Sequence, residues 1–341
     1  MINQCTRRNG AARRPEWLGR QAGLTLVELM ISITLGLFVV LAATAMLVSS
    51  KTIYTSQDDR SIVQDTGRYA IEAISRATRQ SAYENWDKEG APIIAESKMG
   101  ANLAGLDANA LKETEIGMDS PLGAAAAING SDVLAVRFFG SGTGAQGDST
   151  MLNCVGFGVP EPTSQNTAEE DRGWSIFYVT DTNGEPELRC KYYSSEKGTW
   201  NSEAIARGVE SFQVLYGLDT DGDGLMNQYL TATEIDDLDS KLVLVGADEA
   251  AKQEDKNKKT NWKKITVVKV ALLIRGSQPA RSDTLAGQYD LFGKDYADEH
   301  AATDIGTRIK EANIPVAVRN RVRALFTSTI QIRNQLKGSG K

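Results

Sequence analysis

One long apolar run near the N-terminus dominates the pattern of polar and apolar positions. Residues 24–48 contain a single charged side chain, Glu28. At about 1.5 Å of rise per residue, a helix of this length crosses the roughly 30 Å hydrocarbon core of a bilayer. The pattern therefore predicts a membrane-spanning helix over residues 24–48.

The helical period continues beyond the apolar run, to about residue 83. Small or apolar residues recur at steps of three, four and seven positions, namely Val63, Ala70, Ala73, Ile74 and Ala77. Charged residues such as Asp58, Asp59 and Arg60 fill the other faces. Because no proline interrupts residues 24–83, we predict one spine helix over that range, whose second half packs against a folded head.

The rest of the chain, 84–341, favours β-structure. Runs rich in β-branched and aromatic residues predict strands at 133–139, 174–180, 187–193, 209–217, 265–275 and within the C-terminal run 319–334, with a hairpin turn at 181–184. Residues 84–130 indicate a loop with short helices, and the charged segment 250–264 indicates a solvated loop. The sequence thus predicts an α+β fold, with a long N-terminal helix packed on an antiparallel, β-sheet-rich head.

Charge is distributed unevenly between the N-terminus and the remainder. The chain has 38 basic and 44 acidic residues, a net charge of −6. Residues 1–23 carry five arginines and one glutamate, so the remainder has a net charge of about −10. An acidic head argues against general nucleic-acid binding. Arginines before the apolar run predict, by the positive-inside rule, that residues after 50 lie across the membrane.

The junction between the basic and apolar segments reads Gly-Leu-Thr-Leu-Val-Glu-Leu over residues 23–29. A cleavable secretory signal would be cut after its apolar core, whereas a cut after Gly23 would leave the anchor in place. A carboxylate such as Glu28 costs about 2.5–3.5 kcal/mol at the centre of a spanning helix, so it needs a partner. A new α-amino group at Leu24 would supply about 4 kcal/mol of attraction at about 4 Å and an effective dielectric near 20.

This junction resembles the class III signal of type IV pilins and type II secretion pseudopilins. The resemblance implies that a prepilin peptidase removes residues 1–23 as a leader, by cutting after Gly23, and methylates the new N-terminus, Leu24. It also implies that Glu28 acts in assembly by meeting the N-terminus of a neighbouring subunit. The alternative is an ordinary signal anchor.

Later stretches are similar to the PilW family of minor pilins. They are residues 208–224, 270–275 and the terminal strand within 319–334. The resemblance implies a minor pilin that primes or joins type IV pilus assembly at the tip or in the filament. Implied partners are other minor pilins, the major pilin, the prepilin peptidase, the inner-membrane assembly platform and a large tip adhesin. The head would lie in the periplasm on a single-pass inner-membrane anchor, and later in the pilus at the cell surface.

Two other functions remain open from the sequence. One is a J-type pseudopilin of type II secretion, and the other is a membrane-anchored periplasmic enzyme or sensor. Catalysis has little support, because His300 is the only histidine and a triad or multi-histidine metal site needs more. Nucleotide-binding glycine signatures are also lacking. We therefore predict a non-enzymatic protein with His300 as a surface residue.

An acidic turn in the head has the spacing of a calcium loop. Asp219, Asp221 and Asp223 occupy loop positions 1, 3 and 5, and Gly224 occupies position 6. Further ligands would be the Leu225 carbonyl, Asn227 at position 9 and, because Leu230 stands at position 12, an acid among Glu234, Asp236 and Asp237. Three clustered carboxylates repel one another without a cation, so the spacing predicts bound Ca²⁺. The alternative is an exposed acidic turn.

Only two cysteines, Cys154 and Cys190, follow the predicted leader. In an exported protein this pair predicts one disulfide closing a loop of 37 residues. In the chain-entropy description such a bond stabilises the fold by roughly 3–4 kcal/mol. The alternative is a pair of buried thiols.

Overall fold

The computed structural model of the chain describes residues 23–81, 83, 94–95, 97–281 and 287–332. The predicted leader up to residue 22 and the end of the predicted terminal strand, 333–334, lie outside these residues. The helices are α1 Leu26–Gln80, α2 Ala232–Ser240, α3 Glu249–Lys259, α4 Lys294–His300 and α5 Val316–Arg319. The strands are β1 Leu103–Leu106, β2 Val133–Phe138, β3 Gly173–Thr182, β4 Glu185–Ser194, β5 Thr199–Arg207, β6 Val209–Leu218, β7 Gln228–Leu230, β8 Ile265–Arg275, β9 Gln288–Asp290, β10 Arg308–Lys310 and β11 Arg323–Gln331.

The chain divides into two compact units between Ile53 and Tyr54, and α1 contributes to both. In the first unit every described residue is exposed. In the second unit α1 buries one stripe, and all five residues of the predicted apolar stripe are buried there. Gly67 belongs to the same buried face because a Cβ at this position would lie 2.3 Å from the ring of Phe326. The sequence prediction of the α1 packing face is confirmed.

Asp59 differs from its sequence prediction, which placed it among the exposed charges of α1. It is buried, and its Oδ1 accepts from the backbone N–H groups of Ser277 (2.9 Å) and Gln278 (3.3 Å), just after β8. Gly276 makes room for this contact, since a Cβ there would lie 1.8 Å from Asp59 Oδ2. Local charge patterning could not reveal a partner 218 residues away.

Two antiparallel sheets build the head. The larger has the strand order β1-β2-β3-β4-β5, and the other has the order β11-β8-β6-β7. Strands β9 and β10 form a separate two-stranded ribbon. The main core joins α1 to both sheets, with members such as Ile74, Phe177 and Phe212. A second cluster, which includes Leu273 and Leu291, joins β8 to the segment that carries β9 and β10. The predicted α+β fold is confirmed.

Three segments differ from their sequence predictions. Leu103–Leu106 was expected in a loop but forms β1, which pairs with β2 in continuous register. Thr199–Arg207 was not predicted and forms β5 at the edge of the larger sheet. Glu249–Lys259 is helical instead of a loop, because Asp248 caps its N-terminus and lysines occupy its last turn. It buries no side chain, which explains why it lacks an apolar stripe.

Candidate functional site

The start of α1 brings together the residues expected at the processing site. Thr25 is the N-cap, and its Oγ1 accepts from the backbone N–H of Glu28 at 3.2 Å. In return, Glu28 Oε2 accepts from the N–H and the hydroxyl of Thr25, each at 3.0 Å. This reciprocal pattern is a capping box, which satisfies two N–H groups that a helix start leaves without partners. Gly23 and Leu24 immediately precede it.

Thr25 is a residue whose role the sequence analysis missed, although its spacing of three from Glu28 is the signal of a capping box. The capping box uses only one carboxylate oxygen of Glu28. The other, Oε1, has no partner in the part of the chain that the structure describes, so it is available to a donor from another chain. Helix α1, which follows, has an 18-residue window of mean hydropathy 2.5 with no buried residue, and it is long and apolar enough to cross a membrane.

The acidic turn lies between β6 and β7, and it brings three carboxylates together. Asp219, Asp221 and Asp223 each place one oxygen within 4.8 Å of the others. Gly222 and Gly224 have φ of 77° and 86°, a region that glycine adopts without strain. The turn therefore converges as the spacing predicted.

Asp219 is the anchor of the turn. It is buried, whereas Asp221 and Asp223 are exposed. Its two oxygens accept from the backbone N–H groups of Asp221 (3.2 Å), Gly222 (2.7 Å) and Gly224 (2.8 Å). Desolvation opposes ionisation, but the Gly224 and Gly222 N–H donors outweigh it and lower the pKa of Asp219. The carboxylate is thus held ionised and fixed in direction.

Of the other residues expected as calcium ligands, some lie in the turn and some lie on α2. Asn227 lies against the turn, with its Oδ1 accepting from Thr220 N–H at 2.6 Å and its Nδ2 donating to Asp221 at 3.4 Å. Leu225 is exposed and donates its N–H to Asp223. Glu234 caps α2 by accepting from Thr231 N–H at 2.9 Å, and Asp236 accepts from the indole of Trp262. The turn itself therefore presents three carboxylates, Glu234 and Asp236 are engaged with α2 and its surroundings, and Asp237 is exposed on α2.

The disulfide joins Cys154 to Cys190, with a Cα–Cα distance of 6.3 Å. Both residues are buried in the main core, Cys190 on β4 and Cys154 in the loop before β3. The Cys154 N–H also donates to Ser175 Oγ at 3.0 Å, so the loop is held to β3 as well. The predicted pairing is present in the structure.

A buried ion cluster, which the sequence analysis missed, joins three strands. Glu210 on β6 accepts from Arg323 on β11 at 2.6 and 2.9 Å, and from Arg275 on β8 at 3.4 Å. All three side chains are at most 6% exposed. Glu185 pairs with Arg275 at 2.8 Å, and Glu311 lies 3.8 Å from Arg323. The available signal was a charged residue near one end of each of these strands.

His300 has no catalytic surroundings. Its ring stacks on Tyr296 at 4.4 Å, and the nearest carboxylate is that of its neighbour Glu299 at 3.8 Å. The residue is partly exposed at the end of α4. No second imidazole accompanies it, because the sequence contains no other histidine.

Comparison with known families matches two parts of the chain. The family model of type IV pilus-assembly protein W matches residues 176–334, from β3 to just beyond β11. The prokaryotic N-terminal methylation motif matches residues 18–44, which include Gly23, Leu24 and Glu28. The chain is therefore similar to PilW-type pilus-assembly proteins over much of its head, and to methylated pilins at its N-terminus. Searches of curated proteins and of solved structures give no match.

One of the two family matches falls in the N-terminal helix and the other falls in the head. Families with these features are structural components of type IV pili, which assemble from pilins, and they are not enzymes. The methylation motif and the long apolar helix identify a membrane-anchored pilin. The three stretches of the PilW resemblance also supply Glu210, Arg275 and Arg323 of the buried ion cluster.

Proposed function

We propose that the chain is a minor pilin, a non-enzymatic subunit that primes or joins type IV pilus assembly at the tip or within the filament. The observation that carries this proposal is the capping box of Thr25 and Glu28 at the start of α1. It lies within the methylation motif, and the same helix continues into the head that the PilW family model matches. One chain thus combines a processing signal, an anchor and a pilus-type head.

Processing would occur between Gly23 and Leu24, followed by N-methylation of Leu24. Glu28 would then serve two donors. Its Oε2 is engaged with Thr25, while Oε1 would accept from the N-terminal amine of a neighbouring subunit. The charge of Glu28 is costly in lipid, and this pairing would compensate it. The pairing would therefore favour entry into the filament over residence in the membrane. This gives Glu28 a role in assembly and none in membrane insertion.

The proposed route starts in the inner membrane, with the head in the periplasm, and ends in the pilus at the cell surface. The partners would be the prepilin peptidase, the assembly platform, other minor pilins, the major pilin and a large tip adhesin. We also propose that the Asp219–Asp221–Asp223 turn binds Ca²⁺, which the convergence of three carboxylates supports.

The test compares Glu28→Ala with Ser32→Ala, a matched change one turn along the same apolar helix. Glu28→Ala should reach the membrane at least as well as the native chain, because it removes a costly charge. Its amount in sheared pili should fall at least about 10-fold, the effect of roughly 1.4 kcal/mol. Ser32→Ala should enter pili normally. Equal incorporation of both variants would remove the support for charge pairing.

Mass spectrometry of the same material tests processing. The pilus-associated chain should begin at Leu24 with one added methyl group, and Gly23→Val should retain residues 1–23. Deletion of the gene distinguishes the pilin from the J-type pseudopilin. Loss of surface pili with intact protein secretion supports the proposal, whereas normal pili with blocked secretion would contradict it.

A further inference from the structure

The segment after α2 exposes apolar side chains without belonging to a sheet. Residues 242–245 read Leu-Val-Leu-Val, and their burial alternates. Val243 and Val245 are 81% and 70% exposed, whereas Leu242 and Leu244 are partly buried. Alternating exposure is the property of an extended strand, in which successive side chains point to opposite faces. Large apolar residues exposed next to each other on one face commonly mark an interaction site.

Side chains of α3 hold one backbone edge of this segment. Lys259 Nζ donates to the Val243 carbonyl at 2.9 Å, and the Val245 N–H donates to Asp255 Oδ2 at 2.8 Å. Lys259 and Asp255 are themselves paired at 2.7 Å. Gly246 fixes the approach to α3, because a Cβ there would lie 2.5 Å from the backbone nitrogen of Lys252. The extended conformation is therefore built in before any partner arrives.

The opposite backbone edge is open. In a strand, the N–H and C=O of one residue point to one edge and those of the next residue point to the other. The Val243 C=O and the Val245 N–H are bonded to side chains of α3. The backbone N–H and C=O groups of the even-numbered residues therefore point to the edge that faces away from α3. Within residues 97–281, the Leu244 N–H and C=O, the Leu242 C=O and the Gly246 N–H have no hydrogen-bond partner in the structure. An edge of this kind accepts a second strand.

We propose that this edge pairs antiparallel with the same segment of a second copy of the chain. Only even-numbered residues face the open edge, so they must pair with even-numbered residues, about a twofold axis at one of residues 242–246. Centring on Val243 would require the Leu242 N–H, which already donates to the Asp239 carbonyl at 3.1 Å, and centring on Val245 would place the Leu242 carbonyl opposite Asp248. Centring on Gly246 would place Leu244 opposite Asp248, which caps α3, and centring on Leu242 would extend the pairing into α2. Centring on Leu244 pairs Leu242 with Gly246 of the second copy and leaves all the open groups bonded.

The same register covers the exposed valines. Val243 of each copy lies directly opposite Val245 of the other, at a position where backbone hydrogen bonds do not intervene and Cα atoms approach to about 4.5 Å. Four valines would thus leave water together. Such a short strand pair is weak in dilute solution, as are all small interfaces. It requires the high local concentration of chains anchored side by side in one membrane.

Cysteine cross-linking of the full chain in membranes tests the register. Val243→Cys and Val245→Cys are expressed together on differently tagged chains, in a Cys5→Ser background. Mild oxidation should join the two tags, because about 4.5 Å between Cα atoms is within disulfide range. The control combines Val243→Cys with Ala247→Cys, which the proposed register does not place opposite each other, and it should give at least about 10-fold less mixed dimer.

Aspartate substitutions provide the second arm. Val243→Asp with Val245→Asp should abolish cross-linking of Leu244→Cys chains to one another. Val316→Asp is the matched control, since Val316 is 77% exposed but lies outside the segment, and it should leave the cross-link intact. The proposal is overturned if the cysteines react with a maleimide yet yield no mixed dimer, if both cysteine pairs cross-link equally, or if the adduct contains a different protein.

Discussion

The Asp132 carboxylate accepts backbone N–H groups from two separate segments, Ala108 at 2.9 Å and Val214 at 2.8 Å. Desolvation, and then the charges of Asp107 and Asp304, raise its pKa well above the ordinary range. For an acid whose folded pKa is raised, the stabilising contribution is full below the unfolded pKa, near 3.9. This contribution is lost as pH rises through the folded pKa. One residue thus makes the stability of the head pH-dependent.

Asp132→Asn should destabilise the head more at pH 5 than at pH 8. At pH 5 the NH2 of the asparagine would face one of the two backbone N–H donors, so one hydrogen bond would be lost. The free energy of unfolding should fall by about 1–3 kcal/mol. Between pH 5 and pH 8 the native chain loses stability because its unfolded state ionises Asp132 more readily than its folded state, whereas the amide does not titrate, so the difference between variant and native chain should shrink. Chemical unfolding of the full chain in detergent at both pH values measures this.

Asp119→Asn, at an exposed position, is the control for Asp132→Asn and should unfold like the native chain at both pH values. The explanation would be wrong if Asp132→Asn were equally destabilising at pH 5 and pH 8. That result would mean that Asp132 binds the same number of protons in the folded and the unfolded chain over this range.

At the scale of elements, Asp59 joins the long helix to the turn after β8. Its Oδ1 accepts from two backbone N–H groups and from the Ser277 hydroxyl. Hydrogen bonds to a charged acceptor contribute about 1.5–3 kcal/mol. Because this contact lies at the start of the head-associated part of α1, it resists fraying of the helix from the sheet β11-β8-β6-β7.

Asp59→Ala should lower the free energy of unfolding by about 1.5–3 kcal/mol, whereas Asp58→Ala should change it by less than about 0.5 kcal/mol. The two residues are neighbours of identical chemistry, but Asp58 is exposed. Hydrogen exchange of the Ser277 and Gln278 amides should increase in the Asp59 variant alone. Equal effects of the two changes would show that general charge loss, and not the turn contact, is responsible.

The sequence predicted those elements that carry their own pattern. The buried stripe of α1 repeats at the helical period, and the strands β2, β3, β4, β6 and β8 are runs rich in β-branched and aromatic residues. Strand β1 could not be read, because Leu-Ala-Gly-Leu has no β-branched residue and is extended only through its pairing with β2. Helix α3 has no apolar stripe and depends on its cap and on charge pairs such as Asp255–Lys259.

The candidate sites follow the same division. Gly23 and Glu28 lie close together in sequence, and so do the three aspartates. The spacing within each of these two groups therefore predicted its proximity in the structure. The partners of Glu210 lie 65 and 113 residues away, and no local pattern joins them. Removing one member of such a buried cluster leaves an unpaired charge, which typically costs 3–5 kcal/mol. Sequence reasoning alone therefore could not predict the long-range ion pairs of the head.

At the scale of the whole molecule, the acidic turn concentrates three carboxylates in a chain whose net charge is −6. Backbone N–H donors stabilise Asp219, so the uncompensated repulsion lies mainly at the exposed pair Asp221 and Asp223. A divalent cation would remove this repulsion and stabilise the native state by RT ln(1 + [L]/Kd), about 2.7 kcal/mol at 100 times Kd. The effect should reach the whole head, because the turn continues directly from the central strand β6.

Chelation of Ca²⁺ should therefore lower the melting temperature of the full chain in detergent, and Asp221→Ala with Asp223→Ala should abolish this sensitivity. Asp295→Ala with Glu299→Ala removes the same charge from exposed positions elsewhere and should leave the sensitivity to chelation intact. Mg²⁺ should substitute poorly, since it requires a tighter octahedral shell. Calorimetric titration of the chelator-treated chain gives the direct answer. If millimolar Ca²⁺ produces neither heat nor a shift in melting, the turn is an exposed acidic loop held by its own backbone.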